Sequence, residues 1–389
     1  MYNQNVQNPS LYVEYFDKEE GFSGWLVIDD LSYPLCAGGF RVQKGLKQSH
    51  LIKMAKNMSK KMQIWGIPIS GAKSGIDYDP NSKNKDNAIK RFFNAIKPFL
   101  ITCYSCGGDL NTNIGKLEAI AHELGIVSIK MAIAGHQKIT INKYKERYAL
   151  LEHTVVEDTT LGKLRAGWGV AASTFGLLEC LNIRETDAKI AIQGFGTLAK
   201  ATILALKVKK IKIAAIADEQ KCYTDKTGNG IDYSLLLSSK SNILPDIDST
   251  VVNITSSENI ISTYCDALLL EAVENVINSD TIDYLNTKAI IPGANLAVSN
   301  DMLDILKARN IITMPCFVSG SGGTVVINAI FGSEFPANEV LNYMEKKMKE
   351  MTIDIIHESV LEDKTPTQVA LDKINKNNFR NKPYELEGV

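Results

Sequence analysis

Apolar and polar positions alternate with a period of two in LYVEYF, GWLVIDD and GGFRV, between residues 11 and 43, which predicts short strands. From Ser49 the period lengthens. Leu51, Met54, Ala55, Met58, Met62 and Trp65 share one face, a Met-rich stripe expected to pack on a core. Lys61 falls at the border of that face, where a lysine usually snorkels outward. Another helix is predicted over roughly 84–99. The segment 131–164, rich in lysine and tyrosine, reads as a surface excursion. Beyond residue 150, RAGWGVAASTFGLLECLNI predicts an amphipathic helix. AKIAIQGFGTLAKATILALKVKKIKIAAIADEQ then reads as strand, glycine turn, helix and strand. The runs VVNITSS, CDALLLEAV, KAIIPGAN and IITMPCF, with helical stretches among them, predict a parallel, doubly wound sheet. From Pro336 the pattern is helical, with Leu341, Met344, Met348, Met351 and Ile355 on one face. Asp363 to Pro366 signals a fresh helix before TQVALDKI.

Composition narrows the function classes. A chain of 389 residues, 45% apolar, can bury a large core and split into two domains. Its net charge of −1 carries no basic excess for nucleic acid. The start, MYNQNVQNPS, lacks the basic and apolar regions of a signal peptide, and the apolar runs fall short of the roughly 20 residues a membrane helix needs. A cytoplasmic protein with no membrane contact is expected. Seven scattered cysteines fit a reducing compartment. Cys103 and Cys106 have redox-motif spacing, but with no second pair nearby they read as buried thiols. The five histidines do not cluster, so no metal site is expected.

Gly194-Phe195-Gly196-Thr197-Leu198-Ala199 fits the G-x-G-x-x-G/A turn between a strand and a helix. Its glycines let the backbone approach a pyrophosphate at the helix N-terminus. Asp218 ends the next strand, where a carboxylate can accept a ribose diol and repel a 2′-phosphate. The pattern favours NAD over NADP. An ordinary tight turn with a capping aspartate is the competing reading.

In the first half, Lys61, Lys73 and Asp109 are the candidates for chemistry. Crowded, buried ammonium groups hold their protons less tightly, so a lysine can activate water near neutral pH while a carboxylate passes protons to an amine. On composition alone, three unrelated solvent-facing charges are the preferred reading.

GGFRV, MAKNMSKKMQIWGIPISGAKSGIDYDP, GGDLNT, AIQGFGTLA, CDALLLEAV, IIPGAN and TPTQVALDKI, in this order, resemble the Glu/Leu/Phe/Val amino-acid dehydrogenase family over roughly residues 12–376. The resemblance implies that Lys73 is the catalytic lysine, that Lys61 pairs with the substrate α-carboxylate, and that Asp109 shuttles protons to the amino group. Gly38 and Gly39 would line the substrate cleft, and Asn295 would join the cofactor-binding residues. The implied reaction is reversible oxidative deamination of an L-amino acid to a 2-oxo acid and ammonia, with domain closure and a homo-oligomeric assembly. The implied fold is α/β in two domains: a catalytic domain over 1–145 with a mixed sheet, a Rossmann-type domain over 146–332, and C-terminal helices over 333–389 that pack back on the first.

Glutamate-specific members place a lysine and a serine where this chain has Ala37 and Ile327, so an apolar side chain is expected, as in the leucine, phenylalanine and valine branch. The chain also departs from the family at Ala166, Gly320 and Ser74, and Trp168 is expected near a reshaped pocket. Ala166 and Gly320 support an alternative, a catalytically impaired member that binds dinucleotide or amino acid.

Overall fold

The structure, a computed structural model, describes residues 8–376. The outer ends of the expected ranges, 1–7 and 377–389, lie outside the described residues. Two compact units succeed one another along the chain, changing over between Arg147 and Tyr148.

The first unit contains β1 (Leu11–Phe16), β2 (Ser23–Ile28), β3 (Cys36–Val42), α1 (Gln48–Gln63), β4 (Ser70–Ile76), α2 (Lys85–Ala95), α3 (Lys97–Thr102), β5 (Tyr104–Gly108), α4 (Ile114–Glu123), α5 (Ala132–Gln137) and most of α6 (Ile141–Ala149). Its sheet is mixed, in the order β1-β2-β4-β3-β5, with β3 parallel to both β4 and β5. Side chains alternate across a strand, so each face has its own core. One face buries Phe40, Ala72 and Cys106 against Phe92 and Phe93 of α2 and Leu117 of α4. The other buries Trp25 and Val27 against Leu51 and Ala55 of α1. The single helix expected over 84–99 is two, because Pro98 cannot sit inside a helix and instead opens α3. The 131–164 segment is more than a surface excursion. Tyr144 and Arg147, three apart on α6, are buried, and Tyr144 hydrogen-bonds Ser128 at 2.8 Å.

The second unit begins with a small hairpin, β6 (Thr154–Val156) and β7 (Thr159–Thr160), followed by α7 (Leu161–Cys180). It continues with β8 (Lys189–Gln193), α8 (Thr197–Lys209), β9 (Lys212–Ala217), β10 (Lys221–Asp225), α9 (Tyr233–Ser238), β11 (Val252–Ser256), β12 (Ala267–Leu270), β13 (Ala289–Pro292), α10 (Leu303–Ala308) and β14 (Ile312–Thr313). It ends in α11 (Cys316–Ser319), α12 (Gly322–Gly332), α13 (Ala337–Leu361) and α14 (Pro366–Lys376). The sheet order is β11-β10-β9-β8-β12-β13-β14. From β9 to β14 the neighbours run parallel, as expected, but β10 and β11 are antiparallel. Only three residues join β9 to β10, too few for the crossover that a parallel pair needs.

Two helical expectations are corrected. Rather than amphipathic, α7 is buried nearly all round, from Gly167 to Leu178 without a break. And α13 packs along α7 and α12, inside the second unit, where the sequence reading had placed the C-terminal helices on the first domain. Between α13 and α14 the new helix start is a reciprocal cap. The Thr365 amide donates to Gln368 Oε1 at 2.8 Å, and the Gln368 amide donates to Thr365 Oγ1 at 3.2 Å.

Candidate active site

The GAKSG run lies on β4, at the middle of the first sheet. Gly71, Lys73 and Gly75 alternate onto the face covered by α1, while Ala72 and Ser74 face the opposite core. A Cβ at Gly71 would sit 2.0 Å from the Ala55 carbonyl, so glycine lets α1 lie directly on the strand. The Gly71 amide donates to Ser59 Oγ at 2.8 Å and ties the two together. Ser74 is also accounted for. It points away from Lys73 and hydrogen-bonds the buried Tyr104 hydroxyl at 2.9 Å.

Lys73 is buried, and its Nζ lies 2.9 Å from Asp109 Oδ2. Asp109 follows β5 in a turn that explains the GGDLNT run. Asn111 adopts the left-handed backbone, φ 59°, that asparagine tolerates better than most residues. Thr112 Oγ1 accepts the Asp109 amide at 2.8 Å. Gly39, on β3, is the clearance between the two charged groups. A Cβ there would lie 3.0 Å from Asp109 Cβ and 3.3 Å from Lys73 Nζ. Gly38 faces the other way, where a Cβ would overlap the Ala72 carbonyl at 1.6 Å.

The pair has a third member that the sequence reading missed. Arg41 Nε donates to the same Asp109 Oδ2 at 2.7 Å, and its Nη1 reaches Gln43 Oε1 and His50 Nε2, each at 3.0 Å. Strand alternation was the available signal, since Arg41 follows Gly39 by two and so shares its face. Burial alone would raise the Asp109 carboxyl, but the charges of Lys73 and Arg41 prevail and hold it well below the usual carboxylate range. Asp109 is therefore ionised at neutral pH, a proton acceptor beside a lysine. Lys61 is buried near the end of α1, not snorkelled outward as expected. It sits on the helix that covers this same sheet face.

The second unit holds the dinucleotide candidates. Gly194 has φ 117°, open only to glycine, and a Cβ there would press on Glu271 and Ala272 at about 3.1 Å. Gly196 differs, since a Cβ there would meet nothing within 4 Å. It is the N-cap of α8, with no side chain capping the helix and open space where its own Cβ would stand. That arrangement fits a pyrophosphate. Phe195 is buried under the Lys200 ammonium, 4.9 Å from its ring centre.

Asp218 follows β9 and is engaged by main-chain amides. Its Oδ1 accepts the amides of Gln220 and Lys221 at 2.8 and 2.9 Å, and its Oδ2 accepts that of Leu244 at 2.7 Å. The carboxylate builds the β9–β10 turn. Asn295 is half-buried in the loop after β13, and Ile327 is half-buried on α12. Trp168 is buried, and its Nε1 donates to Glu345 of α13 at 2.7 Å. The glycines around Trp168 are contact points between helices. A Cβ at Gly167 would sit 2.2 Å from Leu198 O of α8, and one at Gly169 would sit 2.7 Å from Gly322 Cα of α12.

Beside the Gly194–Gly196 turn, Glu271 is buried at the end of β12. Thr202 Oγ1 donates to its Oε1 at 2.7 Å and lies 3.0 Å from the Gly167 carbonyl. No side chain or backbone group meets its Oε2 among the described residues. Burial, partly offset by Thr202, pushes this carboxyl up to about 8. No metal-binding cluster and no helix long and apolar enough to cross a membrane occur among the described residues.

Comparison with known proteins agrees with this two-part architecture. Residues 163–378 match the model of the Glutamate/Leucine/Phenylalanine/Valine dehydrogenase family, and residues 11–124 match its dimerisation domain. A glutamate dehydrogenase of Thermotoga maritima is 23% identical over 87% of this chain and 80% of its own length. An NADP-specific glutamate dehydrogenase of Saccharolobus shibatae is 24% identical over 79% of this chain and 70% of its own. Among solved structures, the hetero-hexameric glutamate dehydrogenase of Thermus thermophilus, in its leucine-bound form, superposes with a TM-score of 0.77 at 17% identity. That match covers 97% of this chain and 90% of that one. These relatives carry the glutamate name, whereas the sequence reading leaned to the leucine, phenylalanine and valine branch.

Proposed function

Since the chain belongs to the Glutamate/Leucine/Phenylalanine/Valine dehydrogenase family, we propose that it catalyses the reversible oxidative deamination of an L-amino acid to a 2-oxo acid and ammonia, with Lys73 and Asp109 as its catalytic residues. The observation that carries this is the buried Lys73–Asp109 contact at 2.9 Å, set in a space that Gly39 leaves open. A nicotinamide dinucleotide, when bound, supplies the acceptor for the substrate's α-hydride; Gly194, Gly196 and the first turn of α8 would hold its pyrophosphate. The chain's own groups do the rest. Lys61 binds the α-carboxylate. Lys73, once it has passed its own proton to Asp109, takes one from the water that adds to the imine carbon and then steadies the resulting oxygen. Asp109, ionised and fixed by Arg41, accepts a proton and returns it to the amine nitrogen, which leaves as ammonia.

The expectation of NAD over NADP rested on Asp218, whose oxygens are engaged by three amides. Turnover is therefore measured with both. The side-chain class is contested in the same way. Ala37 and Ile327 offer a carboxylate no partner, and the buried Lys130 is held by the Cys106 carbonyl, while the curated relatives carry the glutamate name. A homo-oligomer in the cytoplasm completes the reading, supported by the dimerisation-domain match.

The test is the near-ultraviolet absorbance of reduced nicotinamide in a screen of all proteinogenic amino acids. We expect turnover with at least one, and a loss of about 10²–10⁴-fold in Lys73→Ala. No turnover in either direction would overturn the proposal. A second reading, binding without turnover, draws on the departures at Ala166 and Gly320. Calorimetric dinucleotide binding with no turnover would establish it.

A further inference from the structure

The CYSC run of the sequence resolves into two thiols with different surroundings. Cys106 lies inside β5, buried in the core of the first unit, and burial pushes its thiol up to about 11. Cys103 precedes β5 as the C-cap of α3, half-buried behind the exposed Ile101 and Thr102. Three steps of extended chain separate the two by about 10 Å, beyond the roughly 7 Å that a disulfide spans. Neighbours in the sequence, they are not partners in the fold.

Cys103 has another neighbour. Cys36 opens β3, which runs parallel to β5 with Cys36 opposite Tyr104. The Cys36 amide donates to the Cys103 carbonyl at 2.8 Å, and the Cys36 thiol donates to the same oxygen at 3.2 Å. One strand spacing and one residue of stagger put the two Cα atoms about 6 Å apart, inside the range of protein disulfides. The two sulfurs also lie within hydrogen-bonding reach of each other. Cys106, opposite Gly38, stands two positions further along β5 and about 8 Å from Cys36.

The contact divides the labour between the two thiols. It lowers the Cys103 thiol to about 6, against burial and with help from Thr102. The same contact, and then burial, holds the Cys36 thiol far above its usual value. A half-exposed thiolate thus stands beside a buried thiol that keeps its proton.

We propose that Cys103 and Cys36 form a peroxide-reactive site that closes reversibly into a disulfide, tying the start of β3 to the start of β5. The Cys103 thiolate attacks one oxygen of hydrogen peroxide. An S–O bond forms, the O–O bond breaks, and the leaving hydroxide takes up a proton as water. The Cys36 sulfur then attacks the Cys103 sulfenic acid. The S–S bond forms as the S–O bond breaks, and hydroxide leaves with the Cys36 proton as a second water. Two electrons pass from two thiols to one peroxide, and a dithiol reductant returns them. This chemistry needs none of the groups assigned to the amino-acid reaction.

The test treats the reduced, full-length chain near neutral pH with one equivalent of hydrogen peroxide, followed by non-reducing peptide mapping. We expect one disulfide within the chain, joining Cys36 to Cys103, that dithiothreitol reverses. Cys103→Ser should slow peroxide consumption at least about tenfold. Cys36→Ala should accumulate the Cys103 sulfenic acid, trapped as its dimedone adduct, and Cys106→Ala should form the wild-type disulfide. Iodoacetamide alkylation of Cys103 should rise through about pH 6, well below the onset for the half-buried Cys180, whose thiol burial raises.

A disulfide joining Cys103 to Cys106, or peroxide that reacts with Cys180 as fast as with Cys103, would overturn the proposal. So would a wild type that keeps Cys36 and Cys103 reduced under this treatment. Mapping of the wild type decides these outcomes even where a variant fails to fold.

Discussion

Glu271 is the residue with the plainest pH signature. Its carboxyl, ordinarily near 4.5, is pushed up to about 8 by burial, so the native chain keeps a proton that the unfolded chain releases above about 4.5. Stability from this group is complete below that lower value and declines as pH rises towards the upper one, by up to about 1.4 kcal/mol per pH unit. Glu271→Gln keeps the acceptor for Thr202 and removes the titration. Urea denaturation across this range should give a flatter pH profile for the variant than for the wild type, and identical profiles would contradict the assignment. Residues of this kind were not legible in the sequence. Lys73 and Asp109 were, because motif order and spacing mark them. Arg41, Lys130 and Glu271 lie within or between motifs as ordinary charged letters, and only the burial that tertiary packing imposes sets them apart.

At the scale of elements, apolar period located α1, α13 and the parallel core of the second sheet, since each has one long repeat dictated by one buried face. It failed where neighbours decide. The stretch read as an amphipathic helix, α7, is enclosed by α8, α12 and α13, so both its faces are apolar. The β9–β10 hairpin is antiparallel because of its short connection, not its strand pattern. Glycines show the same division. Gly167→Ala would drive a methyl to 2.2 Å from the Leu198 carbonyl, and we expect a loss of about 1–3 kcal/mol in chemical denaturation. Gly196→Ala meets no atom of the chain, so its stability should match the wild type. Its dinucleotide affinity should fall at least about tenfold by calorimetry, because the methyl would occupy the space offered to phosphate. An unchanged affinity would remove the phosphate assignment from this turn.

Across the whole molecule, the order of two units, a mixed sheet followed by a mainly parallel one, was legible from the switch in hydrophobic period near residue 150. The packing of the C-terminal helices was not, because an apolar stripe says that a face is covered without saying by what. The same limit applies to assembly. β1 is an edge strand whose outward face exposes Tyr12 at 53% and Phe16 at 59%. Exposed edges bearing aromatics invite pairing. Sedimentation velocity should show a multiple of the chain mass, and Phe16→Asp should lower it; a wild-type monomer would refute the oligomer.

The β9–β10 turn bears on how this chain could be re-engineered. Acidic residues at the end of a second strand are the habitual target for exchanging one nicotinamide carrier for its phosphorylated counterpart. Here that carboxylate anchors three main-chain amides, so replacing it with a small neutral residue would loosen the hairpin before altering any preference. Redesign of carrier choice in this chain has to begin at a side chain that the fold does not need.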